Sequence, residues 1–285
     1  MIKMKHLQEF RVGRFVAPDF LSHTYNLRLL HTQSCTGSLL EFATRNTNLQ
    51  ELCIGHRQVL PQTLGFYYFD AALIHTVTAP LCVLQNLVEL CPHLRRVRMA
   101  GPASAGNIRL ELLRRLFGHV AIEELMLFVE VLLYPGEILA AVCTYVPRIK
   151  HLAIITLQGY NVGRSHSGPY AALTVAKMSL FRIYSTTSFA ISPLYLRLRQ
   201  LVSFRLWCMT PLLVPRLDEE PRSRDEIARL CPMLELGSFV SRTFWRRRAY
   251  NWDPIDCVGL EYRNLFQMPD FQVSDEQLKD VILVV

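Results

Sequence analysis

The sequence predicts an α/β fold built from repeats: a curved parallel sheet on the concave side, helices on the convex side, and a cap at the carboxyl end. Three observations lead there. Apolar residues recur at one spacing along the chain. The segments between them carry helical periodicity. Proline stands repeatedly where a helix gives way to a strand.

The clearest unit is LCPHLRRVRM, residues 90–99. A helix ends at Cys91-Pro92, and a short strand follows with Leu94, Val97 and Met99 apolar. This L-x-x-L-x-L spacing fits nine places. They are Leu7/Phe10/Val12, Leu27/Leu30/Thr32, Leu49/Leu52/Ile54, Leu94/Val97/Met99, Ile122/Leu125/Leu127, Ile149/Leu152/Ile154, Met178/Phe181/Ile183, Leu201/Phe204/Leu206 and Leu234/Gly237/Phe239. Thr32 and Gly237 are imperfect matches. Most steps lie near the period of leucine-rich repeats, roughly 20–29 residues. The step from Leu49 to Leu94 is about twice as long, so a degenerate unit is expected inside it, with residues 64–69 as the candidate. The last two apolar positions of a unit lie two apart and share one side of a strand. One unit cannot bury that side alone, so units stack into a right-handed solenoid.

Helices are expected at 38–44, 76–90, 107–117, 135–145 and 223–230. Asn107 is the expected N-cap of the third and Pro135 opens the fourth. Ser223 with Glu226 fits a capping box. Pro92, Pro147 and Pro232 each follow a helix and precede a strand. Polar loops at 101–106, 159–168 and 211–222 fall on one rim, where binding residues gather. The stretch 244–262 breaks the pattern and reads as the cap, with Trp245 and Trp252 packing and the arginines solvated. The tail at 270–285 adds to it. The expected division is 1–240 for the solenoid and 241–285 for the cap and tail. No cap precedes the unit at Leu7, so the chain reads as a fragment, a truncated gene reading or half of an interface.

The chain has 285 residues, of which 51% are hydrophobic and 19% charged, enough to bury a large core. The start, MIKMKHLQEF, lacks the apolar stretch and cleavage site of a signal peptide. The most apolar region, 122–146, is interrupted by Glu130, Pro135, Gly136 and Glu137, which excludes a spanning helix. The eight cysteines never fall in C-x-x-C spacing. They read as buried free thiols of a reducing compartment, cytoplasmic or nuclear. The net charge of +7 favours acidic partners.

The cysteine at the end of a helix, in LCPHLRRVRM and LCPMLELGSF, resembles the cysteine-rich variant of the leucine-rich repeat. With Cys231 to Leu234 followed by Trp245, Arg246, Arg247, Arg248 and Trp252, the arrangement is similar to the carboxyl-terminal region of fungal F-box and leucine-rich-repeat proteins. The resemblance implies substrate capture for a ubiquitin ligase. It also implies a Skp-type adaptor as a partner, but only where an F-box lies upstream; no stretch of this sequence matches that module.

The residues between the last two apolar positions include Arg11, Arg98, Arg182 and Arg205. With Arg95 and Arg96 they are expected to form a basic stripe that binds a protein substrate, acidic or phosphorylated. A solvated strand face is the plainer alternative. Arg246, Arg247 and Arg248 among aromatics superficially resemble a nucleic-acid surface. GYNVGRSHSG lacks the lysine and following Ser/Thr of a phosphate-binding loop. None of the nine histidines falls in a metalloprotease motif, and no serine in a nucleophile elbow. The expected function is non-enzymatic protein recognition, with no catalytic, cofactor-binding or metal-binding residue, no cofactor and no membrane. The alternative is a nucleic-acid-binding protein using the stripe and the carboxyl-terminal arginines.

Overall fold

The computed structural model describes residues 8–12, 24–35, 37–59, 73–116, 122–131, 135–158, 198–208, 225, 228–239, 244–249 and 251–255. They form a mixed α/β structure around one open sheet of eleven strands. The strands are β1 (Glu9–Val12), β2 (Leu29–Cys35), β3 (Glu51–Val59), β4 (Thr76–Ala79), β5 (Arg96–Met99) and β6 (Glu124–Val131). Then come β7 (His151–Gln158), β8 (Ser203–Cys208), β9 (Leu236–Phe239), β10 (Phe244–Arg248) and β11 (Asn251–Ile255). Their order in the sheet is their order in the chain. All pairings from β1 to β9 are parallel; β9–β10 and β10–β11 are antiparallel.

Five of the described turns into strands close in the same way. Leu49, Leu94, Ile149, Leu201 and Leu234 each donate an N–H to the carbonyl three residues earlier, at Asn46, Cys91, Val146, Leu198 and Cys231, at 3.0–3.2 Å. Pro92, Pro147 and Pro232 sit inside three of these turns, where a residue without an N–H costs nothing. The residue that opens the turn is buried in every case. At Asn46 the polar side chain is satisfied on both ends. Its Nδ2 donates to Phe42 O at 2.7 Å, and its Oδ1 accepts from Tyr25 N at 2.9 Å.

A second contact joins successive coils. The carbonyls of Gln8, Arg28, Gln50, His75, Arg95, Glu123, Lys150 and Val202 each accept two consecutive N–H groups from the following coil, at 2.7–3.2 Å. The coils therefore stay in step, and equivalent side chains fall side by side. Leu30, Leu52, Val77, Val97, Leu125, Leu152 and Phe204 make one such row, all buried against the helices.

The degenerate unit exists, but at Ile74/Val77/Ala79 rather than at 64–69, which lies outside the described residues. Residues 76–79 are thus strand, correcting the helix expected over 76–90. Thr76, Val77 and Thr78 are β-branched, and Ala79 precedes proline; both features favour extended backbone. Pro80 is the N-cap of α2 (Leu81–Leu90). The other helices are α1 (Gly37–Arg45), α3 (Ala105–Asn107) and α4 (Pro135–Tyr145). The cap of α3 is Ser104, whose Oγ accepts from Asn107 N at 3.3 Å, so Asn107 is not the cap. From α3 the chain continues into a π-helix over Ile108–Leu113, which buries Ile108, Leu112 and Leu113 and turns Leu110 outward. Asp225 and residues 228–230 are helical, while Ser223 and Glu226 lie outside the described residues.

Residues 178–183 also lie outside them, and β7 pairs directly with β8 from His151↔Ser203 to Thr156↔Cys208. No strand stands between these two. The sheet continues past residue 240 into the β10–β11 hairpin. There Trp245 lies opposite Gly237 and packs against the core. A directly opposed residue shares the face of its partner, so the indole occupies the side where Gly237 has no side chain. Ala249 turns the hairpin with φ 52. Pro254 and Asp253 lie on β11, the last strand of the sheet among the described residues.

Two substitutions check the row assignment. Leu94→Ala should cost about 2–5 kcal/mol in urea unfolding, the usual range for a buried leucine. Leu125→Asp should unfold the domain, because it places an unpaired charge in the core. A folded, monomeric Leu125→Asp protein by circular dichroism and sedimentation would contradict the register.

Candidate functional site

The same register that fills the core also orders the sheet's other face, where two rows run across the strands beyond a row of residues at the strand entrances. The row at the strand entrances holds Gln50, His75, Arg95, Glu123, Lys150 and Val202, the carbonyl-bearing residues of the joining contact. The next row holds Glu51, Thr76, Arg96, Glu124, His151 and Ser203 in direct register. A third row, two residues further on, holds His31, Cys53, Thr78, Arg98, Met126, Ala153, Arg205 and Ser238.

Charge in these rows is largely internally matched. Arg98 donates through Nε to Glu124 Oε1 at 2.6 Å, a diagonal contact between neighbouring strands. Both residues are buried, at 7% and 9% exposure. The other oxygen of Glu124 lies 3.7 Å from Arg96 Nε. Lys150 Nζ donates to Glu123 Oε1 at 2.8 Å. That bond, with the nearby charges of Lys150, Arg95 and Arg96, holds the Glu123 carboxyl below its ordinary range against a smaller opposing effect of burial. Beyond the charges lies a small apolar cluster of Met126, Ala153 and Ile155, with Phe128 against it.

Two histidines flank the arginines. His75 Nδ1 lies 2.9 Å from the hydroxyl of Thr76, and His151 Nδ1 lies 2.9 Å from Ser203 Oγ. Burial is the main cause that lowers both pKa values; Arg96 and Arg95 add to it at His75, while Glu124 and Glu123 oppose it at His151. Glu124, His151 and Ser203 stand in one line, yet the line is not a nucleophile assembly. Ser203 is 2% exposed, and both oxygens of Glu124 face arginines. Cys53, on the third row, is buried and its thiol is pushed up to about 12, chiefly by that burial. Burial also pushes Cys91 and Cys231 up to about 12, so these are inert thiols.

The arginines expected to form a stripe are placed unevenly. Arg95 and Arg96 adjoin Arg98 on β5 and its approach. Arg98 is the buried partner of Glu124 rather than a solvated contact residue. Arg11 is exposed on β1, 3.7 Å from Glu9. It stands four strands from Arg98, about 19 Å at the usual strand spacing. Arg205 follows Ala153 directly in the third row, and its side chain lies outside the described residues. Arg182 lies outside them altogether, and the row passes from Ala153 to Arg205 without it. The arginines are therefore separated by His31, Cys53, Thr78, Met126 and Ala153, not contiguous.

The carboxyl-terminal arginines divide. Arg247 donates to the carbonyls of Ala228 and Pro232 at 3.3 and 3.2 Å, correcting the expectation that it is solvated. Arg248 lies 3.2 Å from Asp253. Sequence reasoning missed Glu124 and Ser203, and read His151 as a surface or satisfied histidine, which its contact with Ser203 bears out. They belong to the residue just before the first apolar strand position, which strand alternation also turns outward. Among the described residues no group of three or more His, Cys, Asp or Glu is placed to hold a metal, and no helix is long and apolar enough to cross a membrane.

Two consequences can be measured. Glu124→Leu should cost about 3–5 kcal/mol, because it strips a buried arginine of its carboxylate. The Arg98→Met/Glu124→Leu double variant should recover most of that loss; equal losses would show that the pair is not coupled. Both histidines have folded pKa values below the ordinary histidine value of 6.5, so the unfolded chain binds more protons in acid. Their contribution is complete above that value and is lost as pH falls through the folded values. The urea midpoint should drop between pH 7.5 and 5.5, and His151→Gln should flatten the drop.

A scan of the chain against models of protein families finds no match, and a search of curated proteins finds none.

Proposed function

We propose that this chain is a leucine-rich-repeat solenoid whose sheet face opposite the described helices recognises another protein, without chemistry of its own. By the resemblance of its CP-x-L units and Trp-Arg hairpin, the role is that of the substrate-binding region of an F-box-type ubiquitin-ligase receptor. The observation that carries this reading is the ordered array on the sheet face opposite the helices. Nine parallel strands in register set charged, polar and apolar side chains in fixed rows. Such an array suits many small contacts with a few anchors carrying most of the energy.

The ion pairing also bears on the choice of partner. Arg98 and Arg248 each face a carboxylate of the same chain, at 2.6 and 3.2 Å, and a phosphate backbone would have to compete there with Glu124 and Asp253. A protein surface of mixed charge fits this face better than a nucleic acid. A Skp-type adaptor enters the proposal only together with an F-box module.

The test is capture of partners by the immobilised full chain and by a variant altered on this face alone, Arg96→Glu with His151→Glu. The variant should keep its circular dichroism spectrum and lose the proteins held by the natural chain. Retention of the same set of proteins by the folded variant would contradict the proposal.

A further inference from the structure

We propose that Arg95 and Arg96, with His75 on the neighbouring coil, form the seat for one anionic side chain of the protein partner, a carboxylate or a phosphate. The inference rests on the recognition reading and narrows it to one locus.

Backbone contacts fix the three residues relative to one another. The carbonyl of His75 accepts the N–H groups of both Arg95 and Arg96, at 2.8 and 2.9 Å. Thr76, which holds the His75 ring at 2.9 Å, pairs in register with Arg96. The seat is therefore built by the register of the sheet and does not depend on a flexible loop.

Charge then selects its occupant. Around these strands four cations, Arg95, Arg96, Arg98 and Lys150, meet three carboxylates, Glu51, Glu123 and Glu124. Arg98 and Lys150 take the close contacts to Glu124 and Glu123, at 2.6 and 2.8 Å. Arg96 is left 3.7 Å from Glu124, beyond hydrogen-bond length, with 52% of its side chain exposed. Arg95 is exposed and makes no ion pair among the described residues. The surplus positive charge thus sits on Arg95 and Arg96, consecutive residues at the entrance to β5 whose charges both act on His75 and on Glu123. Guanidinium binds carboxylate and phosphate through paired N–H groups, which makes an anionic side chain the complementary occupant.

His75 gives the seat a signature. The groups acting on its ring are Arg95 and Arg96 on one side and Glu51 on the other. A bound anion offsets the repulsion from the arginines and draws a proton onto the ring. A carboxylate stays ionised between pH 7.5 and 6, so its affinity should rise as pH falls, whereas its binding by arginines alone would not change; a phosphoserine takes up a proton over the same range, so the glutamate peptide reads this signature.

The experiment uses the full chain and three Gly/Ser peptides with a central phosphoserine, glutamate or serine. The His75 ring signal is followed by NMR. The phosphoserine peptide, the glutamate peptide or both should move that signal and raise its titration midpoint, while the serine peptide leaves it unchanged. The comparison of the two anionic peptides identifies phosphate or carboxylate as the preferred group. Arg95→Ala/Arg96→Ala should weaken binding by about tenfold or more, the loss of a charge-assisted contact. His75→Gln should abolish the tightening of the glutamate peptide between pH 7.5 and pH 6. An unmoved His75 signal with both anionic peptides, or equal binding by the folded arginine double variant, would overturn the inference. If a captured partner still binds that double variant but not the Arg96→Glu/His151→Glu protein, the seat fails and the recognition reading stands.

Discussion

One carbonyl oxygen per coil, taking two N–H groups from the next coil, is the contact on which the rest of this structure depends. It repeats from Gln8 to Val202. Two hydrogen bonds to one acceptor fix both the distance and the direction of the incoming strand. Without that lock, a slip of one residue would exchange the two faces of the sheet and send leucine to water. With it, Val97 and Leu125 meet in the core while Arg96 and Glu124 meet on the other face.

The turn that precedes each strand explains how such different sequences build one coil. What is shared is a buried residue that opens the turn and an N–H three residues later that closes it. Asn46, Cys91, Val146, Leu198 and Cys231 all fill the buried place. Asparagine works there only because Phe42 O and Tyr25 N satisfy its amide. The buried Arg98–Glu124 pair follows a similar rule on the opposite face. Two ions taken out of water gain little net stability, but each demands the other. The pair is thus better read as a device that fixes the alignment of β5 with β6 than as a source of stability.

Much of the fold could be read from the residues, and the failures have physical causes. The CP-x-L turns and the strands at Leu94, Ile122 and Ile149 announce themselves by spacing. The strand at 76–79 did not, because Thr76, Thr78 and Ala79 are small and weakly apolar and merge into the helix beyond Pro80. Reading Pro80 as a boundary would have separated them. The expected unit at Met178 lies outside the described residues, and β7 pairs directly with β8. Gly237 looked like a defect until Trp245 came to lie opposite. On the outer face, the arginines were legible but their partners were not. Glu124 lies a full coil beyond Arg98, so only the register could bring them together.

The claim at the centre of this account is that recognition takes place on the sheet face opposite the described helices. Hydroxyl-radical footprinting of the chain bound to a captured partner tests it most directly. Protection at His75, Arg95, Arg96 and His151, with Leu110, Glu89 and Arg115 on the helical side left reactive, is the result expected. Protection confined to the helical side, with the sheet face as reactive as in the free chain, would contradict it.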